Sequence, residues 1–456
     1  MDGTKNIVFV FAIWCSLTSV GSAADYGWYT EGEVEPLQRV KLVLTNPLDI
    51  GRDNCPIVIK RADMPVENIP ERWITVVDPE LPPSPEPTRE QLREMSGYLI
   101  RKETNGHFLV YQQDDIDGDG VWDELFFMTD LKPRETRTIY IYIGKSERGL
   151  YEHKTHSGMG NYGRHVVPFW ESELIGWKLW FSDSADLHGK RSPMLTAYPE
   201  YSRNLSGYYM PYEYGSDIMT VGRTFGSGGI CLFEEPALPD SVSRPRFTPY
   251  TEKGPFLDTR FAYDVVVNGP LRSMIRARTM NWNSGRGEYE VEQLYTAYAH
   301  TSYSTCMVKF TKFFPAEPAT AFGCGIRRIM QEYDTFQKGG VVISMGKNVE
   351  IRIPDEDIGD EGLIVDFEGI ALVVRDDFKP EYRNIDGFDG NHVFRIPVTP
   401  QRMFEYMIAG GWSEGSVNRT NDEFTAYVLA EARKYNNPVT IRISPSEKKP
   451  ESERNK

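Results

Sequence analysis

The run Asp114-Asp115-Ile116-Asp117-Gly118-Asp119-Gly120-Val121-Trp122-Asp123-Glu124 sets carboxylates at alternating positions around two glycines, a pattern that can wrap a hard cation. Asp115, Asp117, Asp119 and Asp123 fall at positions 1, 3, 5 and 9 of a calcium loop, with the Val121 carbonyl at position 7 and Gly120 at the sharp turn. Position 12 is Phe126, where an EF-hand needs a bidentate glutamate, and the flanks are strand-like. The expectation is a calcium-stapled loop between strands, structural and not catalytic; a metal-free acidic turn would show the same letters. A second supply of chemistry lies between His165 and Arg223. His188-Gly189-Lys190-Arg191 gathers an imidazole and two cations on an expected loop, and Tyr198, Tyr201, Tyr208, Tyr209, Tyr212 and Tyr214 follow, with Asn204 among them. Such groups can exchange protons and hold an anion, although a His between basic residues is also an ordinary solvated turn. Glu171 and Glu173, two apart on an expected strand, would sit about 6.6 Å apart on one face, near the carboxyl spacing of glycoside hydrolases. Any acidic pair on a solvated strand does the same. His153 and His156 have metal-compatible spacing but read as linker. The Gly226-Ser227-Gly228-Gly229 cluster has no helix pattern after it, so it reads as a bend where backbone meets another sheet, and not as a nucleotide loop.

The elements that must position these residues are strands. Val40 to Leu44, Ile57 to Ile59, Phe108 to Tyr111, Leu125 to Met128 and Thr136 to Ile143 are short β-branched or aromatic runs bounded by Pro, Gly and Asp. They predict an N-terminal β-sandwich over residues 25–147, interrupted by a Pro-rich excursion at residues 79–87. A connector over 148–164 leads to a larger antiparallel sandwich over 165–443. There Asn268-Gly269 signals a hairpin between Tyr263–Val267 and Leu271–Ala277, and a second turn is expected at Met345 to Asn348. A short helical candidate spans Thr88 to Met95, the clearest helix is predicted from Asn421 or Asp422 to Tyr435, stopped by Asn436-Asn437-Pro438, and residues 444–456 read as a disordered tail. No internal repeat is visible.

The N-terminus adds a compartment. Lys5, the apolar run Ile7 to Leu17 and the small residues Gly21 to Ala24 form the three-part pattern of a secretory signal over residues 1–24, so the expectation is an exported, periplasmic or extracellular protein without a membrane anchor. Cys55, Cys231, Cys306 and Cys324 are scattered without metal spacing; one or two disulfides are compatible with export, while the apolar runs around Cys231 and Cys306 suit buried thiols. A net charge of -15 argues against nucleic acid and against anionic membrane surfaces, and leaves an anionic ligand only a local cationic pocket.

At Asp217-Ile218-Met219-Thr220-Val221-Gly222-Arg223-Thr224-Phe225-Gly226-Ser227-Gly228-Gly229-Ile230 the chain resembles a bacterial exported family, domain-of-unknown-function family 4861. The aspartate loop before Asp123-Glu124-Leu125-Phe126-Phe127, Leu131 to Thr136, Trp170 to Glu173, Val266 to Arg272 and Gly411-Trp412 carry the same resemblance. It implies an all-β fold whose larger sandwich is of the galactose-mutarotase-like kind, and a part in bacterial polysaccharide degradation. A relative is associated with dehydration of uronate-containing ulvan oligosaccharides, so the implied activity is that of a lyase or dehydratase on an anionic polysaccharide or oligosaccharide. Elimination beside a uronate needs a donor on the carboxylate, a base, and an acid for the leaving oxygen. The candidates are His188 as base or acid, Tyr209 or Tyr212 as its partner and Arg191 on the carboxylate, with Asn204, Arg260 and His165 as substrate-binding groups. A glycoside hydrolase on the same scaffold, or a non-catalytic sugar-binding envelope protein, are the alternatives.

Overall fold

The computed structural model describes residues 26–28, 35–67, 69, 73–82, 107–145, 151–162, 165–180, 184–197, 213–245, 259–350 and 363–451. They form antiparallel sheets with one α-helix among them, Asn421–Asn436. The expected signal segment, 1–24, most of the Pro-rich excursion and the helical candidate from Thr88 to Met95 lie outside the described residues. No helix among those described is long and apolar enough to cross a membrane.

The N-terminal sandwich packs a sheet containing Glu35–Thr45, Thr136–Lys145 and Ile74–Asp78 against the three strands Arg52–Lys60, Glu124–Leu131 and Tyr111–Asp114. Alternation decides the faces: Val40, Leu42 and Leu44 point inward with Ile139, Ile141 and Ile143, and meet Ile57, Ile59, Leu125 and Phe127 from the facing sheet. The end of the chain returns here. Thr440–Ile443 and Glu447–Lys448 pair with Glu35–Thr45, and Glu447 forms an ion pair with Arg39 at 2.9 Å. The segment expected to be a free tail is thus partly an edge strand; its charged and Pro-rich letters suit an exposed edge as well as a disordered end.

The large sandwich has an eight-stranded sheet running, in spatial order, through Arg260–Asn268, Arg272–Asn283, Gly287–Tyr298, Tyr303–Pro315, Met403–Trp412, Leu363–Val374, Val341–Glu350 and Gln331–Lys338. Facing it are a five-stranded sheet, Gly215–Asp217, Ser184–Lys190, Ile175–Trp180, His165–Ser172 and Thr155–Tyr162, and a four-stranded sheet, Ser227–Phe233, Ala321–Arg327, Asn391–Ile396 and Glu381–Ile385. A bridge between Ala185 and Gly226 joins the two. The core between the layers is aromatic: Trp170 stacks on Tyr295 at 4.4 Å between ring centroids and donates its indole N–H to Ser304 Oγ.

Asn268-Gly269 closes the expected hairpin. The connector is no linker, because Thr155–Tyr162 is an outer strand of the five-stranded sheet. The turn expected at Met345 to Asn348 is instead a bulge at Gly346 inside the continuous strand Val341–Glu350. At Gly228, with φ of +95°, a Cβ would lie 2.8 Å from Ile408, which is the close backbone approach anticipated for that glycine cluster. The helix is capped by Thr420, which accepts from the Glu423 N–H, one residue before the expected caps, and it buries Phe424, Val428 and Ala432 on the outer face of the eight-stranded sheet. The four cysteines among the described residues are buried free thiols, and burial pushes Cys55 up to about 11 and Cys306 up to about 12.

A buried polar joint fastens the two sandwiches. Arg272 of the large sheet donates to Asp114 at 2.6 Å and to Glu124 at 2.8 Å, lies over the Phe126 ring, and is only 3% exposed. Gln112 accepts from the Leu271 and Arg272 backbone N–H groups and donates to the Arg272 carbonyl. Asp114 and Glu124 are cross-strand partners at the mouth of the aspartate loop. Replacing Arg272 by Ala leaves two carboxylates without their cation, and a loss of about 3–5 kcal/mol is expected in denaturant unfolding; a loss under about 1 kcal/mol would mean the joint is dispensable.

Candidate functional site

The five-stranded sheet has two opposite characters. Even positions of His165–Ser172 and odd positions of Ile175–Trp180 and Ser184–Lys190 put Trp170, Trp177 and Leu187 into the aromatic core. The alternate positions put Glu171, Lys178, Asp186, His188 and Lys190 on the other face, joined by Asp217 opposite His188 and by His156 opposite Glu171. On a solvated sheet this alternation is ordinary. Here Glu171, Lys178, Asp186, His188, Lys190 and Asp217 are each no more than 4% exposed. Charges so buried survive only when paired and hydrogen-bonded.

The pairing is specific. The Lys178 ammonium sits between two carboxylates, Asp186 at 3.0 Å and Asp217 closer still. Asp217 also accepts from the Met219 N–H, and Asp186 from the Leu187 N–H. Burial works against the charge on Lys178, but the two carboxylates raise its pKa above the usual lysine value. Burial first, and repulsion from Asp217 second, push the Asp186 carboxyl up to about 6. Glu171 behaves oppositely. Burial pushes its carboxyl up, but the Lys190 ammonium, His156 and the Thr196 N–H hold it at about 2. Lys190 donates in addition to the Ser172 and Met194 carbonyls, at 2.6 and 3.0 Å, and the Ala197 N–H donates to Glu171 at 3.0 Å. Glu171–Lys190 is therefore a saturated strut, whereas Lys178–Asp186–Asp217 contains one carboxyl poised to hold a proton near neutral pH. His188 lies between Asp217 and Gly176 in register. Because Gly176 has no side chain, a space of about 10 Å³ remains beside His188, Glu171 and Phe169, the room of one water.

His188 is thus on the face, but on a strand and not on the expected loop. Gly189 permits this: a Cβ there would lie 2.2 Å from the Trp412 ring. Arg191 follows the strand end and pairs with Glu414 at 2.6 Å while lying over Trp412, so its guanidinium belongs to that corner and not to the charged face. Arg260 lines a separate recess with Asn281, Asn283 and Lys312 at the edge of the eight-stranded sheet. His165 opens its strand cross-strand from Tyr162. Asn204, Tyr209 and Tyr212, with Tyr198, Tyr201 and Tyr208, lie outside the described residues. Glu171 and Glu173 do not form a pair: Glu171 belongs to Lys190, and Glu173 binds the His300 ring at 2.7 Å and its backbone N–H. His156 takes its place on the face through a 3.4 Å contact with Glu171. Sequence reasoning missed Lys178, Asp186 and Asp217. The available signal was complementary charge on strands that otherwise alternate with Trp and Leu.

The aspartate loop, at the far end of the Arg272 joint, has a donor set suited to a hard cation. Carboxylate oxygens of Asp115, Asp117 and Asp123 lie within 4.8 Å of one another. Asp115 also accepts from the Gly118 and Gly120 N–H groups, and Asp123 from those of Ile116 and Asp117, so the turn already curls around the carboxylates. Asp119 stands outside that group and accepts from the Val121 N–H.

A family model described as Domain of unknown function (DUF4861) matches residues 44–441. Among solved structures the chain is similar to a protein in the Glycosyl Hydrolase Family 38 from Enterococcus faecalis, at 9% identity and a TM-score of 0.47, covering 91% of this chain and 50% of that one. It is also similar to an alpha-mannosidase from Enterococcus faecalis V583, at 9% identity and a TM-score of 0.46, covering 90% of this chain and 47% of that one. The chain spans about half the length of both, and likenesses this distant say nothing of its activity. No curated protein matches the sequence.

The two carboxyls predict opposite pH effects on stability. Asp186 is raised above its ordinary value, so the native state holds the extra proton and stability falls as pH rises from about 4 to about 6. Glu171 is lowered, so its contribution is complete above about pH 4.5 and lost as pH falls toward 2. Melting temperature against pH should therefore lose its decline between about pH 4 and 6 in Asp186→Asn and keep its acid limb; an unchanged decline would contradict the assignment.

Proposed function

The chain belongs to the family described as Domain of unknown function (DUF4861), and from that footing we propose that it is an exported carbohydrate-active enzyme, a lyase or dehydratase acting by β-elimination on uronate-containing polysaccharide or oligosaccharide. The resemblance in sequence supplies the reaction class. The observation that carries the reading is the buried charged face around His188, where Asp186 keeps a carboxyl near neutrality beside an imidazole. In β-elimination a base takes the proton from the carbon next to the carboxylate, the carbon–oxygen bond one carbon further breaks, and an acid protonates the departing oxygen. In this reading His188 exchanges a proton with the substrate. Asp217, its cross-strand neighbour, and Asp186, two residues before it, stand beside it.

The face also limits what it accepts. Lys178 and Lys190 stand against Glu171, Asp186 and Asp217, so with neutral imidazoles the face carries one net negative charge. Protonation of Asp186 brings it to neutrality. An anionic sugar is favoured on the acid side, and kcat/KM for a uronate substrate is expected to fall as pH rises above about 6. The saturation of both lysines by protein carboxylates favours a second reading, a non-catalytic saccharide-binding protein.

Incubation with uronate-containing oligosaccharides separates these readings. Ultraviolet absorbance from a new double bond conjugated to the carboxylate is expected as substrate disappears. New reducing ends without that absorbance would mean hydrolysis, and binding without turnover would mean the second reading. We propose in addition that calcium is the cation of the loop, held by Asp115, Asp117 and Asp123, with Asp119 and the Val121 carbonyl as further ligands. At about 100 times its Kd, calcium should add about 2.7 kcal/mol to stability and leave the reaction catalysed unchanged. Complete, reversible loss of turnover in chelator with an unaltered melting temperature would overturn that structural role.

A further inference from the structure

On the far side of the large sandwich from the charged face, three units leave a cavity of about 630 Å³ between them, within the range of about 300–1,000 Å³ of small-ligand pockets. Its floor is the outer face of the eight-stranded sheet, where Tyr303 and Thr305 on one strand and Met407, cross-strand from Thr305, and Glu405 on the next alternate away from the aromatic core. The helix supplies one wall through Tyr427, Glu431 and Tyr435, and the strand Arg52–Lys60 of the N-terminal sandwich supplies the other through Cys55, Pro56 and Val58.

The formal charges lining this space balance, Arg52, Arg375 and Lys434 against Asp53, Glu405 and Glu431. Lys434 pairs with Glu431 at 2.7 Å, Arg375 with Asp377 at 2.7 Å, and the Tyr435 hydroxyl donates to Glu405 at 2.5 Å. Arg52 donates to Asn46 Oδ1 and to the Lys434 carbonyl. No net charge is left over to attract an ion. Among the remaining hydroxyls, that of Tyr298 bonds Thr305 and that of Tyr427 accepts from the Ser302 N–H. Tyr303 is the exception: it is 9% exposed, it lines the cavity, and its hydroxyl has no hydrogen-bond partner among the described residues. A hydroxyl that faces a cavity without a protein partner is stabilised by something that enters. Tyrosine rings with polar edges, a neutral lining and one waiting hydroxyl suit a flat, uncharged molecule with hydroxyls on its rim.

We propose that this junction is a binding site for a neutral saccharide of one or two rings, seated between the two sandwiches and the helix and separate from the charged face. The Tyr303 hydroxyl bonds a sugar hydroxyl, and the exposed parts of the tyrosine rings cover the sugar's apolar faces. Bound sugar then touches both sandwiches at once, as the Arg272 joint does beside it, Arg272 being cross-strand from Tyr298 of the cavity lining. This site does not depend on the reading of the charged face, since its ligand is neutral and its lining residues are different.

Isothermal titration of the full chain with L-rhamnose, D-xylose, cellobiose and lactose, each at about 10 mM, tests the proposal at a level that detects a Kd of about 1 mM. At least one of these sugars is expected to bind. Tyr303→Phe removes only the hydroxyl and should weaken that binding about 3–10-fold. Ala430→Trp fills the cavity from the helix without removing a core contact, and should abolish binding in a protein whose melting temperature is maintained. If Ala430→Trp lowers the melting temperature, Met407→Phe on the floor serves the same purpose. Binding by none of the four sugars, or binding that survives cavity filling at full strength, would overturn the proposal.

Discussion

Burying charge on one side of a sheet is the constraint around which the large sandwich is organised. Strands of the five-stranded sheet must give their apolar side to the Trp170–Tyr295 core, so their alternate residues have to face the other way. Those residues are ionic and are nevertheless out of water. Lys178 between Asp186 and Asp217, and Lys190 on Glu171, are the arrangement that makes this tolerable. A buried pair gains little over an apolar pair of the same shape, so such a face is not explained by stability alone. Chemistry is the better reason for keeping it.

The two lysines do different things. Lys190 is fully occupied by one carboxylate and two carbonyls and drives Glu171 toward permanent ionisation. Burial and repulsion from Asp217 push the Asp186 carboxyl up to about 6, and Lys178, shared with Asp217, does not offset them. Only the second arrangement can change its protonation under ordinary conditions, and it adjoins His188. The distinction rests on how many donors each carboxyl receives. It does not rest on sequence position, since all these residues share one face.

Much of the frame was legible in the sequence. Asn268-Gly269, the β-branched runs of the N-terminal sandwich and the helix after Thr420 are local signals, and each is where local physics places it. What failed was also local. Gly189 beside His188 reads as loop until Trp412 is known to occupy the place of its Cβ, and Met345 to Asn348 reads as a turn until neighbouring strands on both sides hold it straight. The charged face was illegible for a different reason. Lys178, Asp186 and Asp217 are ordinary surface letters taken singly, and only antiparallel register brings them together. The aspartate loop does lie between strands, with Asp115, Asp117 and Asp123 converging and Asp119 outside that group, yet its flanks do more than the motif suggests, because Asp114 and Glu124 reach across to Arg272.

The central claim is that the face carrying His188 performs proton transfer on a saccharide. Steady-state turnover of a uronate-containing oligosaccharide by His188→Gln, compared with the unaltered chain at matched melting temperature, addresses it most directly. Loss of a positioned acid–base group predicts a fall in kcat of about 100-fold or more. Full turnover in His188→Gln would contradict the account, whatever the substrate proves to be.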